Sequence, residues 1–335
     1  MKVLVISAGQ DTGGQGYRIK QAFDRFEPEV QARAMHASET YIEYPGDLKY
    51  SVSVATQLMA EAEIVHAMNT LWPVFKFPHK AGVVIHHHGT RFRSDHAQMA
   101  EEARSIGATQ LVSTLDLAVL EPDVEWVPSP YDLGALAKLR TRRYSKGPVI
   151  RIAHAPTNRE VKGTDEIISA VTRLSERYPI EFDLIEGVSW AACLKRKARA
   201  DIFVDQLLLG YGNNAVEAWA MSIPVVAGVL DHSVRDRMLS EWGGLPFHEA
   251  NPSNVEDRLE QLILDSPLRR ALAAIGRGHV ARFHDHRVVA RRLKEIYAAH
   301  RGPSLTQPVP EKATPVGQGY RFIRPSAPQW GQSIT

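Results

Sequence analysis

The segment LLLGYGNNAVEAWAMSIPVVAG, residues 207–228, places two glycines, two asparagines and one carboxylate between apolar runs. Its pattern predicts a glycine-rich turn, a helix over 214–221 and a strand over 224–227. Glu217 stands on that helix among alanines, Val216, Trp219 and Met221, a setting in which a carboxylate seldom lacks a partner. Either protein groups or a ligand must therefore satisfy Glu217.

Short apolar runs alternate with helical patterns on both sides of this segment. Further strands are predicted over 2–7, 64–67, 82–86, 110–113, 125–127, 149–153, 181–186 and 201–204. Further helices are predicted over 16–26, 51–61, 96–106, 164–178, 190–199, 254–266, 267–284 and 285–300. This alternation is typical of parallel sheets covered by helices.

We therefore predict an α/β fold with two Rossmann-like domains whose ligand-binding edges face each other across a cleft. The first domain is expected to span residues 1–146 and the second residues 147–284, because the polar stretch around 140–148 breaks the pattern. Residues 285–300 form the last predicted helix. Residues 301–335 are dominated by Pro, Gly, Ser, Thr and Gln, so we expect a disordered tail.

The composition is that of a soluble globular protein, with 44% apolar and 23% charged residues in a chain of 335. A formal charge of +2 argues against a long nucleic acid as the main partner. The single Cys193 excludes an intramolecular disulfide and a thiolate metal cage, and it fits a reducing compartment. The first apolar run is too short for a signal peptide or a transmembrane segment, so we expect a cytoplasmic protein.

The first strand is followed by a glycine-rich loop that contains Gly13, Gly14 and Gly16. Glycines at a strand-to-helix turn let a ligand approach the backbone, and the helix N-terminus offers N–H groups to an anion. A plain tight turn is the alternative interpretation. The loop lacks the Gly-x-Gly-x-x-Gly spacing of dinucleotide-binding folds, which argues against a nicotinamide dehydrogenase.

Three consecutive histidines, residues 86–88, end another strand of the first domain. Alternate residues of a strand point to opposite faces, so at most two of the three can converge, and a metal site is disfavoured. We predict that His88, beside Gly89, reaches the cleft while His86 and His87 are partly structural. A wholly structural trio is the alternative.

The second domain offers cations at its first strand-to-helix turn. Arg159 and Lys162 can both lie near the start of the following helix, where two cations and free N–H groups suit a diphosphate. A solvated loop with ordinary surface charges is the competing interpretation.

Residues 205–217 supply the remaining candidates. Asp205 ends a strand, Gly210 and Gly212 open the turn, and Asn213 is predicted to be the N-cap of the helix that carries Glu217. A carboxylate one turn into that helix can accept both hydroxyls of a ribose, as the acidic residue of dinucleotide-binding folds does. A buried structural glutamate is the alternative.

The order of these motifs resembles that of the family 4 retaining glycosyltransferases of the GT-B fold, from residue 1 to about residue 300. The similar motifs are Lys162-Gly163 before an amphipathic helix, Gly210-Tyr211-Gly212, Glu217-Ala-Trp-Ala and Pro224-Val-Val-Ala227. The stretches from Ser266 to Tyr297 are similar to the closing helices of that family. By this resemblance the last helix returns to the first domain.

The resemblance implies a nucleoside diphosphate sugar as the donor, held mainly by the second domain, and transfer with retention at the anomeric carbon. Lys162 and Arg159 would neutralise the diphosphate, and Glu217 would bind the ribose. The Gly13-Gly14 loop would approach the donor phosphates, and His88 would lie near the reacting sugar and the acceptor. No bound metal and no cofactor are implied, because cationic side chains and helix N-termini stabilise the leaving diphosphate.

One position departs from the family pattern. Leu209 stands where the family often has a glutamate that contacts the sugar. Asp205 could supply a carboxylate instead, or Gly210 and Asn213 could contact the sugar through backbone and amide. The departure keeps open a catalytically inactive nucleotide-sugar-binding or structural protein of the same fold.

A nucleotide-sugar epimerase, with His88 and Asp205 as acid and base, is a further alternative within this fold. Such an enzyme would need acid and base groups around the donor sugar and would take no acceptor. For a transferase, the acceptor would be bound by the first domain, and peripheral membrane contact is left open.

Overall fold

A computed structural model describes residues 1–10, 12–38, 42–140 and 149–300. The first half of the chain forms a parallel sheet of seven strands in the order β3-β2-β1-β4-β5-β6-β7. The strands are β1 (Lys2–Gln10), β2 (Gln31–Ser38), β3 (Leu48–Lys49), β4 (Ile64–Met68), β5 (Gly82–His87), β6 (Thr109–Val112) and β7 (Glu125–Trp126). The central strands are buried on both faces, which explains their nearly continuous apolar runs.

Helices cover both faces of this sheet. They are α1 (Gln15–Phe26), α2 (Val52–Glu61), α3 (Trp72–Lys76), α4 (Gly89–Ser105), α5 (Leu115–Leu120) and α6 (Leu133–Leu139). A short 3₁₀ turn, Thr12–Gly14, connects β1 to α1. Ser51 caps α2 by accepting a hydrogen bond from the amide of Val54. The helix therefore starts at Val52, one residue after its predicted start.

The second half forms a smaller sheet with the order β11-β12-β10-β8-β9, and β13 also pairs with β12. Its strands are β8 (Ile150–His154), β9 (Ile180–Leu184), β10 (Ile202–Val204), β11 (Leu209–Gly210), β12 (Val225–Val229) and β13 (His248–Glu249). All pairs are parallel except that of β11 with β12. The helices are α7 (Arg159–Lys162), α8 (Thr164–Ser175), α9 (Trp190–Lys197), α10 (Asn213–Ala220), α11 (His232–Trp242), α12 (Val255–Leu264) and α13 (Ser266–Phe283).

The last helix, α14 (His286–Ala299), returns to the first domain and packs on α1. Its buried face, with Val289, Leu293 and Tyr297, belongs to the same apolar cluster as Val3 and Phe23. The chain crosses next to Tyr131, whose amide donates to His284 O at 2.7 Å and whose carbonyl accepts from the amide of His286 at 3.1 Å. The predicted return of this helix to the first domain is therefore confirmed.

The main difference from the predicted elements lies after the histidine trio. The helix predicted over 96–106 begins at Gly89, and a kink at Asp95, where φ is −127°, interrupts it near the middle. Strand β2 and helix α11 were not predicted at all.

The predicted division at residues 146 and 147 and the predicted tail over 301–335 lie outside the described residues. Within the described ranges, no helix is both long enough and apolar enough to span a bilayer.

Candidate functional site

A cleft of about 400 Å³ lies where the carboxyl ends of the two sheets approach each other. Parallel strands place their following turns along one edge, so both domains contribute these turns to the cleft. Seven of the predicted site residues line it: Gly13, His88, Lys162, Tyr211, Gly212, Asn213 and Glu217. Gly14, Arg159, Asp205 and Gly210 are not among the lining residues.

Lys162 is held at the cleft by a buried carboxylate. Its Nζ donates to Oδ1 of Asp205 at 2.8 Å, and the other carboxylate oxygen accepts from the amide of Gly212 at 2.6 Å. Asp205 therefore ties the ammonium group to the start of α10. The sequence left open that Asp205 contacts the sugar. In the structure, both of its carboxylate oxygens accept hydrogen bonds from protein donors.

The amino-terminal end of α10 differs from its prediction. Gly212, and not Asn213, is the N-cap residue, and Asn213 is the first helical residue. The side chain of Asn213 points to the first domain instead, and its Oδ1 accepts from Oγ of Ser129 at 3.2 Å. No side chain caps this helix, and the carboxylate of Asp205 accepts from the amide of the N-cap residue, Gly212.

Glu217 is buried, accepts two hydrogen bonds from protein donors and has a third cationic group, Arg18, beside it. Trp190 Nε1 donates to Oε1 at 2.7 Å, and Lys197 Nζ donates to Oε2 at 2.6 Å. Arg18 from the first domain places Nη2 3.5 Å from Oε1. A carboxylate has about four acceptor positions, so this arrangement leaves capacity for a further donor such as a ribose hydroxyl.

The guanidinium of Arg18 is enclosed by aromatic rings from both domains. Its central carbon lies 4.1 Å from the ring centroid of Tyr131, 5.2 Å from that of Trp190 and 5.5 Å from that of Tyr44. The amide of Trp190 also donates to Ile42 O at 2.7 Å. Arg18 and Trp190 thus join the two domains beside Glu217.

The glycine loop approaches the second domain closely. Gly13 has φ of +62°, and a Cβ on it would lie 2.5 Å from Nδ2 of Asn213. Gly14 has φ of +69°, and a Cβ on it would lie 2.9 Å from the ring of Tyr44. Both positions therefore need glycine for conformation and for space.

His88 faces the cleft from the first domain as a buried, neutral imidazole. Burial, with smaller contributions from His86, His66 and His87, holds the pKa of His88 well below its usual value of 6.5. Gln15 Nε2 lies 3.3 Å from Nδ1, and with the amide in this orientation Nδ1 accepts its hydrogen bond and the imidazole proton lies on Nε2. Within the described part of the chain, Nε2 makes no hydrogen bond.

The other two histidines of the trio, His86 and His87, are buried inside the first domain. His86 lies on the same face as His88, with ring centroids 4.5 Å apart, and its Nε2 bonds to Val127 O at 3.0 Å. His87 lies on the opposite face, where it stacks on Phe92 and bonds to Gln110. Burial lowers the pKa of His86 to about 3 and that of His87 to about 4.

Arg159 lies on α7 at the rim and is exposed. Its guanidinium forms two parallel bonds to Glu186, at 2.8 and 2.6 Å, and this hydrogen bonding raises the pKa of Arg159. Glu186 itself lines the cleft. The structure thus brings Lys162 into the cleft and leaves Arg159 outside it, paired with a carboxylate.

Tyr211 joins the cleft to the crossing point of the chain. Its hydroxyl lies 2.9 Å from Nε2 of both His279 and His284, and Nδ1 of His284 bonds to Ser129 O in the first domain. Burial raises the pKa of the Tyr211 phenol and lowers the pKa of His284 to about 4. Leu209 also lines the cleft, so the departure from the family pattern lies at the site itself.

Sequence reasoning missed Arg18, Trp190, Lys197 and Gln15. Each contacts a predicted site residue from another part of the chain; Gln15 and Arg18 lie in or beside the glycine-rich loop, whereas no local motif marks Trp190 and Lys197. The only available signal was that a buried carboxylate needs a partner. Among the residues that the structure describes, no group of three or more histidine, cysteine or acidic side chains is arranged to hold a metal.

No protein-family model matches the sequence, and no curated protein matches it. Solved structures do match the fold, each over 89% of this chain. They include Anabaena HepE in complex with UDP-glucose (13% identity, TM-score 0.63, all of that chain covered) and an alpha-glucosyltransferase in complex with UDP and a 13-mer DNA (11%, 0.62, all of that chain covered). Sucrose-phosphate synthase from Thermosynechococcus elongatus matches at 13% identity, with a TM-score of 0.59 and 99% of that chain covered.

At sequence identities this low, the structural matches establish the fold alone. The chain has the GT-B fold shared by these glycosyltransferases, which confirms the predicted fold class.

Proposed function

We propose that the protein transfers a sugar from a nucleoside diphosphate sugar to an acceptor hydroxyl, with retention and without a metal ion. The observation that carries this proposal is the position of Lys162. Its ammonium group lies in the cleft, fixed by Asp205 beside the start of α10 and opposite the first domain's glycine loop and His88.

Lys162 and the start of α10 would bind the donor diphosphate. Asn213 and Asn214, the first residues of α10, line the cleft, and helix N-termini favour anions. Both groups are already oriented, so little reorganisation is needed as negative charge develops on the leaving diphosphate. Arg159 would act through long-range charge at the rim, because its guanidinium is paired with Glu186.

His88 would orient the reacting sugar as a hydrogen-bond donor. The lowered pKa keeps its imidazole neutral near pH 7, and Gln15 fixes the tautomer that directs the Nε2 proton away from the amide. A neutral donor suits a sugar hydroxyl, since it adds no positive charge that would compete with Lys162 for the diphosphate.

Retention would follow from attack of the acceptor hydroxyl on the face that the diphosphate leaves. The bond between the acceptor oxygen and the anomeric carbon forms as the bond to the diphosphate oxygen breaks, and that oxygen takes the acceptor proton. Among the residues described around the cleft, the buried carboxylates Asp205 and Glu217 are engaged by protein donors, which disfavours the two-acid chemistry of glycoside hydrolysis.

UDP-sugars are the first donors to test, because two of the matching structures hold UDP or UDP-glucose. Release of nucleoside diphosphate would be measured from UDP-, GDP- and ADP-sugars with a pool of hydroxyl acceptors, with and without EDTA. NMR of the product would give its anomeric configuration. We expect release from one donor class that EDTA does not change, and a retained configuration; inversion or dependence on a metal ion would contradict the proposal.

A nucleotide-sugar-binding protein without turnover is the second candidate. It is favoured by the two hydrogen bonds and the ion pair that already engage Glu217, and by Leu209 in the cleft. Saturable donor binding with no release of diphosphate across the same panel would support this candidate over the first.

A further inference from the structure

A second concave surface lies at the opposite edge of the second sheet from the cleft. It encloses about 600 Å³ and is lined by Ile150, Asp201 and Pro224, which stand at or just before the beginnings of β8, β10 and β12. The cleft begins after the ends of the same strands. The five residues of β8 separate the two surfaces by about 16 Å, at ~3.3 Å per residue.

One face of α13 forms a wall of this groove. Each of its lining residues has another one three or four positions away, as on one side of a helix: Ser266, Arg269, Arg270, Ala273, Ala274 and Arg277. The two alanines lie between the arginines and leave the space open. Arg140, which follows α6, also lines the groove.

The groove is strongly cationic for a chain of nearly neutral charge. Four arginines and one carboxylate, that of Asp201, line it. Arg270 donates to Oγ of Ser266 at 2.6 Å, and Arg277 donates to Ala220 O at 2.9 Å. In the described ranges, neither guanidinium has a carboxylate oxygen within 4.0 Å.

Bonds to a hydroxyl or a carbonyl do not neutralise a guanidinium, and each arginine has further N–H donors to offer. The planar fork of these donors matches the oxygens of a phosphate. Arg270 and Arg277 are two turns apart, about 10 Å along the helix axis at ~1.5 Å per residue. Arginines two turns apart offer separate positions for phosphates, so a ligand with several phosphates matches the groove better than a ligand with one.

We propose that this groove, framed by Arg269, Arg270, Arg277 and Arg140, is a second binding site that takes a short oligophosphate, separate from the donor cleft. The ligand is either free in solution or carried as a phosphorylated lipid headgroup, since both present the same oxygens. A net charge of +2 gives the chain as a whole little attraction for a long nucleic acid, which favours a short ligand at this groove.

Calorimetric titration with inorganic tripolyphosphate tests this site. All proteins in the titration carry Lys162→Ala, so that the cleft contributes little and a failed donor assay does not affect the result. The test variant adds Arg270→Gln and Arg277→Gln. The control adds Arg282→Gln and Arg291→Gln, which remove two equally exposed charges outside the groove.

We expect saturable binding that weakens at least 10-fold in the test variant and less than 2-fold in the control. Should the glutamine variant melt at a lower temperature, Arg270→Lys with Arg277→Lys keeps the charge and loses the fork, and should still weaken binding several-fold. Equal binding by test and control variants would overturn the proposal, and so would a lack of saturable binding at low salt.

Flotation with phosphatidylcholine vesicles, with and without a phosphatidylinositol bisphosphate, separates the two sources. Binding only to the vesicles that contain the bisphosphate, lost in the test variant, would identify a headgroup; tripolyphosphate binding alone would identify a free ligand. A single-stranded oligonucleotide that binds the groove more tightly than tripolyphosphate would contradict the assignment to a short ligand.

Discussion

The two walls of the cleft present different chemistry. The wall from the second domain consists of charged groups in pairs, Lys162 with Asp205 and Glu217 with Lys197. The wall from the first domain contains the glycine loop, the neutral imidazole of His88 with His86 packed behind it, and one cation, Arg93, which is paired with Asp116. The second domain therefore supplies most of the charged groups of the cleft, and the first supplies mainly uncharged contacts and close backbone approach.

Removal of Lys197 should have the largest effect, because it leaves Glu217 buried with a lost partner. We expect Lys197→Met to lower the free energy of unfolding by about 3–5 kcal/mol, the cost of breaking a buried ion pair. Urea denaturation would measure it. Lys195→Met, on the exposed side of the same helix, is the control and should change stability by less than ~0.5 kcal/mol. A loss below about 1 kcal/mol for Lys197→Met would mean that Trp190 and Arg18 alone satisfy Glu217.

Removal of Lys162 should affect turnover more than stability. Lys162→Ala is expected to lower the rate of diphosphate release by roughly 10²-fold or more, as for the loss of one oriented charge-stabilising group. Arg159→Ala should cost less than 10-fold, since its guanidinium lies outside the cleft and is paired. Lys195→Ala controls for charge. Equal losses for Lys162→Ala and Arg159→Ala would show that both cations contact the diphosphate.

The buried imidazoles should make stability depend on pH. Burial lowers the pKa of His154 and of His284 to about 4, whereas an unfolded chain has histidines near 6.5. Below pH 6.5 the unfolded state therefore binds protons that the folded state does not, so stability is full above pH 6.5 and falls as the pH drops towards 4. Each such histidine contributes roughly 1.4 kcal/mol per pH unit in this window.

Denaturation midpoints between pH 7.5 and 4.5 would measure this dependence. His284→Gln should give a shallower slope than the parent protein, although it is less stable at pH 7.5. A slope unchanged by His284→Gln would show that this imidazole is protonated in the folded state.

The close approach of the two walls gives the smallest expected effect. Gly13→Ala and Gly243→Ala both place a side chain at positive φ, which costs roughly 1–2 kcal/mol. Only at Gly13 would the Cβ meet the other domain, while the space around Gly243 is open. We therefore expect a similar loss of stability in both variants but a several-fold weaker donor affinity only for Gly13→Ala. Unchanged affinity would mean that the walls separate when the donor binds.

The strongly periodic elements of the fold could be predicted from the sequence, and the weakly patterned ones could not. Buried strands such as β4 and β12 are continuous apolar runs, so their prediction needed no tertiary information. Strand β2 was missed because it contains Gln, Arg and three alanines, which are poor strand formers. Helix α11 was missed because only Val234 and Met238 are buried on it.

For the site, sequence could predict where the cleft lies but not how its charges are paired. Strand-to-helix turns are local features, which is why Gly13, His88, Lys162 and Glu217 all line the cleft. The partners of Glu217 lie 20 residues away at Lys197 and in another domain at Arg18, and only the assembled fold brings them together. Protein groups therefore engage the Glu217 carboxylate, which keeps acceptor capacity for a ligand.

The most direct test of the central claim, that Lys162 is positioned for a donor diphosphate, is calorimetric titration of nucleoside diphosphates into the parent protein and Lys162→Ala. We predict saturable binding of one nucleotide class, unchanged by EDTA and at least 10-fold weaker in Lys162→Ala than in Lys195→Ala. Equal binding by the two variants would contradict the account and place the diphosphate elsewhere.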